Sequence, residues 1–125
     1  MKGIILFAHG ARDPGWAAPF QRLQQTVAAQ QRDFVVALAY LELMSPALEE
    51  AVATMATAGI DIIHIVPLFL GPGAHFRRDF PLLMDSLRQR YPLVTLTSTP
   101  VLGESDALLQ AIADWIGASL HIAPV

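Results

Sequence analysis

Apolar positions along this chain follow two alternating rhythms. Gly3 to Ala8, Phe34 to Leu41, Asp61 to Pro67 and Leu93 to Ser98 are short runs rich in β-branched residues, most of them nearly continuous rather than alternating. Unbroken runs of this kind mark strands that a parallel sheet covers on both faces. Between them the apolar positions return at helical spacing: Phe20, Leu23 and Val27; Leu48, Val52, Met55 and Ala56; more faintly Leu83 and Leu87; then Leu108, Ile112, Trp115 and Ile116. Asp13-Pro14 and Ser45-Pro46 each read as an N-cap followed by proline at the first helical position. Gly59 falls where a helix ends before the third strand. The stripes holding Met55 and Trp115 are expected to be core.

The alternation βαβαβαβα, with short connections and no linker, predicts one α/β domain over residues 1–125. Right-handed crossovers make it a doubly wound, four-stranded parallel sheet with helices on both faces and strand order 2-1-3-4. Residues 116–125, with His121 among them, are expected to form a loosely ordered tail.

Composition then narrows the roles. Apolar residues make up 54% and charged residues 15%, which excludes a disordered chain. A net charge of −3 and scattered basic residues argue against a nucleic-acid partner. With no cysteine, neither a disulfide framework nor a thiolate metal site is available. No apolar run approaches the roughly 20 residues that span a bilayer, and the N-terminal run lacks a signal-peptide cleavage site. The expected location is the cytoplasm.

The chemistry gathers where strands end. "FAHGARDP", residues 7–14, leaves an apolar run for His9, Gly10, Arg12 and an Asp-Pro pair, and "IVPLFLGPGAHFRRDFP" leads in the same way to His75, Arg78 and Asp79. In an open α/β sheet, ligands bind beyond the carboxyl ends of the strands at the switch point, here between strands 1 and 3. His9 ends strand 1, the loop holding His75 leaves strand 3, and Glu42 in "YLELMSP" leaves strand 2. Two imidazoles and a carboxylate suit a divalent first-row metal with open positions, or acid–base work. The same residues also have a purely structural reading, Glu42 capping a helix and the histidines bonding to backbone carbonyls. His64, mid-strand, reads as a hydrogen-bonded core or interface residue, and Asp13 and Asp79 as helix caps. A dinucleotide fingerprint and a phosphate loop are absent after strand 1. A hydrolase reading lacks a nucleophile.

"AHGARDP", "LEL" with Pro46 following, and "VPLFLGPGAHFRRDFP" resemble the small sirohydrochlorin chelatases of the CbiX type, from Lys2 to about Ile116. That resemblance implies a class II chelatase fold and an enzyme inserting cobalt, or in related branches iron or nickel, into sirohydrochlorin. It implies that His9 and His75 handle the metal, that Glu42 lies near it, and that the metal is a substrate, with no tightly bound cofactor. The chain departs from the family pattern at Ala11, where many relatives carry Ser, and at Ala74, where Gly is usual. Longer relatives carry two such domains, which implies a homodimer for a short form.

The residue types suit that reaction. Metal insertion removes two pyrrole protons and hands a partly hydrated ion to ring nitrogens, and imidazole, titrating near about 6.5, can do both. Sirohydrochlorin carries acetate and propionate groups, which Arg12, Arg77 and Arg78 could grip, with Phe76 against the ring face. The rival from another class is a non-catalytic carrier of metal or tetrapyrrole using the same crevice.

Overall fold

The computed structural model describes residues 1–120. Its strands are β1 (Lys2–Ala8), β2 (Phe34–Tyr40), β3 (Ile62–Pro67) and β4 (Thr95–Ser98), and its helices are α1 (Ala18–Gln30), α2 (Leu48–Thr57), α3 (Ala74–Arg90) and α4 (Asp106–Ser119). All strand pairs are parallel and the order is β2-β1-β3-β4, the doubly wound sheet that the pattern predicts.

Register explains why the strands carry apolar residues at successive positions. Lys2 pairs with Phe34 and with Ile62, so Ile5, Phe7, Ile63 and Ile65 share one face of the sheet. There they meet Leu48, Val52 and Met55 of α2 and Met84 and Leu87 of α3, all buried, in one core cluster. Arg88 clasps α3 to the sheet edge, donating from Nε and Nη2 to the Leu96 carbonyl at 3.2 and 2.9 Å. On the other face Ala8 and Tyr40 join Ala17, with Trp16 and Phe20 packed against them, as a smaller cluster around the start of α1.

Helix boundaries correct several expectations. Asp13 does cap a helical start, accepting from the Gly15 amide at 2.9 Å, and the turn it opens is a 3-10 segment, Pro14–Ala17, leading into α1. Ser45-Pro46 does not begin α2. The Tyr40 amide donates to the Pro46 carbonyl at 2.9 Å, drawing that segment beside the end of β2. Ala47 is the N-cap, and its amide donates to Glu50 Oε1 at 3.0 Å, a half-formed capping box because alanine has no acceptor. Gly59, at φ 87°, follows α2 as the spacing predicts. Helical structure runs through Ile116 to Ser119, into the stretch expected to be a loose tail. His121 lies outside the described residues.

Met55 is core, but Trp115 is 69% exposed, and α4 has no buried residue. Periodicity identified an apolar stripe there without identifying a surface to cover it.

Candidate active site

Backbone pairing between β1 and β2 continues beyond the strands and builds half of the site. The Leu41 amide donates to the Ala8 carbonyl at 2.9 Å and the Glu42 amide to the His9 carbonyl at 3.1 Å. His9 and Glu42 are therefore neighbours by construction, and His9 Nε2 lies 3.0 Å from Glu42 Oε1. An ionised carboxylate can only accept, so the imidazole donates through Nε2, and its neutral form keeps the free lone pair on Nδ1. Gly10 permits the approach: it sits at φ 93°, and a Cβ there would stand 1.9 Å from the Glu42 carbonyl oxygen.

The other half comes from the exit of β3. The Leu68 amide donates to the Phe7 carbonyl at 2.8 Å, after which residues 69–73 cross to α3. Gly73 is the N-cap of α3, so His75 stands in its first helical turn rather than in a loop. Arg78, one turn on, donates from Nη2 to His75 Nδ1 at 2.9 Å and from Nε to Asp79 Oδ1 at 3.1 Å. Asp79 lies inside α3 and caps nothing; the helix had already started at Ala74.

Between the halves lies an aromatic floor. Phe69 meets Phe76 edge-on at 4.8 Å, Phe76 stacks on Phe80 at 4.6 Å, and Phe7 lies under them, 5.7 Å from Phe69 and 6.1 Å from Phe80. The His9 ring stands edge-on to Phe69 at 6.0 Å. The apolar third-strand loop is thus turned partly inward, although Leu70 remains 61% exposed. Above the floor, a cavity of about 320 Å³ is lined by both His9 and His75 together with Leu41 and Phe76. A contiguous one of about 160 Å³ carries His75 and Phe76 on toward Phe80 and Leu83.

The remaining candidates separate. Arg12 opens onto another depression, of about 370 Å³, with Tyr40, Leu43 and Met44. Arg77 lines a third, with Phe76, Pro81, Pro100 and Glu104. Among the described residues no three His, Asp or Glu side chains are gathered as a ready metal cluster. His64 bonds through Nδ1 to Thr97 Oγ1 at 2.6 Å, on the sheet face away from the main core. Sequence reasoning missed Leu41 and Phe7 as parts of the site. The signal was available, because Phe7 sits at the end of β1 and Leu41 directly after the neighbouring β2, on the same carboxyl edge of the sheet.

The arrangement can hold a flat apolar ligand against the floor while presenting two imidazoles and a carboxylate at its edge. The family model described as CbiX matches residues 3–118. The sirohydrochlorin cobaltochelatase of Methanopyrus kandleri is 34% identical over 85 residues, 67% of this chain and 59% of that one. The one from Saccharolobus solfataricus is 33% identical over 95 residues, 73% of each chain. The aligned part thus spans only about three fifths of some relatives, 61% in Methanosarcina acetivorans. Among solved structures, a cobalamin-biosynthesis CbiX protein from Marinobacter aquaeolei superposes with a TM-score of 0.85 at 31% identity, covering 98% of this chain and 100% of that one. SirB from Bacillus subtilis with Fe3+ shares the fold, with a TM-score of 0.77 at 22% identity over 98% of this chain and 48% of SirB. With a family match that starts in β1 and ends in α4, this chain belongs to the CbiX family.

Proposed function

We propose that this protein is a sirohydrochlorin chelatase, inserting a divalent metal, Co2+ foremost and Fe2+ or Ni2+ as alternatives, on the way to cobalamin or siroheme. One observation carries the reading: His9 and His75, from opposite sides of the switch point, line the same cavity over an aromatic floor. The names of the relatives support it.

In this reading the metal arrives as a substrate, held by the two imidazoles with Glu42 offsetting its charge and water completing the shell. No resident cofactor takes part. As the ion passes to the macrocycle nitrogens, the imidazole lone pairs it vacates receive the two pyrrole protons, so charge and protons balance. His75 needs one further event, because its Nδ1 is occupied by Arg78. A carboxylate on the incoming macrocycle competes for that guanidinium and frees the ring as the substrate seats.

A single domain offers an open half-cleft to a macrocycle, and we infer that the working form is a homodimer. No helix among the described residues is long and apolar enough to cross a membrane, and we assign the reaction to the cytoplasm.

The test is the absorbance change of sirohydrochlorin with Co2+, without ATP or reductant. His75→Ala should lose most of the rate. Full activity in a His9→Ala, His75→Ala double variant overturns the assignment, and tight binding of metal and tetrapyrrole without turnover leaves a carrier instead.

A further inference from the structure

The two imidazoles of the cavity are not in equivalent states. His9 donates through Nε2 to Glu42 and keeps its Nδ1 lone pair free. His75 receives at Nδ1 from Arg78 Nη2, at 2.9 Å. A guanidinium has only donors and stays charged, so Nδ1 is the acceptor and the neutral ring carries its hydrogen on Nε2. Neither nitrogen of His75 then offers a lone pair to a cation. One imidazole stands ready and the other is occupied.

Helical spacing makes that occupation a property of α3. His75, Arg78 and Asp79 fall at i, i+3 and i+4, neighbours on the surface of its first turns. Arg78 spans the other two, with Nη2 on His75 and Nε on Asp79 Oδ1 at 3.1 Å. Between an imidazole and a carboxylate, its guanidinium holds the place of a cation. Asp79 lines the smaller cavity beside His75, whereas Arg78 belongs to neither lining. Arg78 is therefore placed to meet the periphery of a seated ligand rather than its ring face. The Arg78 and Asp79 side chains are 67% and 63% exposed. Contacts so open to water are weak, and a second carboxylate displaces the imidazole easily.

We propose that Arg78, pivoting on Asp79, is a latch that opens His75 to metal only after the tetrapyrrole has bound, and so fixes the order of binding. The inference rests on the chelatase reading above and deepens it. Nε stays with Asp79 while the terminal nitrogens exchange His75 for a peripheral carboxylate of the macrocycle, taken side-on. The released ring then has a lone pair for the ion. A metal that arrives first finds His9 as its one available imidazole. A metal that arrives second finds two, beside a ring already seated.

The test titrates Co2+ and metal-free sirohydrochlorin separately, by calorimetry. Arg78→Ala should tighten Co2+ binding to the tetrapyrrole-free chain roughly threefold to tenfold, the worth of one hydrogen bond. The same variant should weaken sirohydrochlorin binding by a similar factor. Opposite signs separate a latch from a structural role, which would weaken both. Co2+ binding that is unchanged or weaker in Arg78→Ala overturns the latch. So does a gain that survives in a His75→Ala background, because relieved charge repulsion then explains it. Tighter metal with unchanged tetrapyrrole affinity overturns the carboxylate trigger, and the order with it. In rapid mixing at limiting Co2+, preloading the wild type with Co2+ should gain nothing over adding both ligands together, whereas preloading Arg78→Ala should shorten the lag. A gain from preloading in the wild type overturns the order. Absence of any turnover sinks the chelatase reading instead, and the Co2+ titrations still decide the latch.

Discussion

Gly10 holds more of the site than either histidine holds alone. Its left-handed backbone turns the chain after His9, and its missing Cβ leaves room for the Glu42 carbonyl. Gly10→Ala should cost about 1–3 kcal/mol in urea unfolding, the range for a side chain forced into that region, and should lower activity further by displacing Glu42. An unchanged unfolding midpoint would mean that the turn has another conformation open to it. Glu42 in turn orients His9 and fixes which nitrogen donates. Removing such an orienting carboxylate typically costs about 10–100-fold, so Glu42→Ala should lose that much turnover, while Glu42→Gln, which can still accept from Nε2, loses less. Equal losses would assign the effect to charge rather than to orientation. That His9 and His75 line one cavity was legible from strand ends alone, although Glu42 meets only His9 and the three do not gather into one cluster. The partner of each imidazole was not, since the 3.0 Å contact to Glu42 depends on pairing beyond the strands and the Arg78 contact on where α3 begins.

Among the elements, α3 departs furthest from its sequence signal. Pro81 lies inside it, so the Arg77 carbonyl has no helical amide to accept from. His75, Phe76 and Phe80 precede that break, the buried residues Met84 and Leu87 follow it, and Leu83 just beyond it still lines the cavity. The proline thus lies between the turns that carry most of the site and the turns that carry the buried core residues. Pro81→Ala should stabilise the fold by roughly 1–2 kcal/mol, less than the full interior penalty because proline also restricts the unfolded chain, and should slow turnover by re-aiming the first turns. A destabilised variant would mean that the ring packs better than the hydrogen bond it removes. The strands, by contrast, were legible to within two residues, because short runs of apolar and β-branched residues are a local signal that survives even where one face stays partly open. The start of α2 was not, because Pro46 takes a long-range partner in Tyr40 that no local propensity encodes.

For the molecule as a whole, the exposed stripe of α4 starts beside the candidate site. The Phe69 carbonyl holds the turn that launches α4, and the Phe69 ring touches His9 edge-on. Loss of the partner should be felt in the cleft, and activity per chain should fall on dilution in parallel with dissociation followed by sedimentation. Constant specific activity through dissociation would make one domain sufficient. Sequence periodicity gave the apolar stripe of α4 correctly and its burial wrongly, because a pattern along one helix says nothing about what surface lies beside it. An element that contributes nothing to its own core also changes the order of folding. The sheet with α1, α2 and α3 can close its core without α4, which joins neither core cluster. In a Trp16→Phe background, Trp115 emission should then change little across the urea transition that far-ultraviolet ellipticity follows, because Trp115 is already 69% exposed in the folded chain.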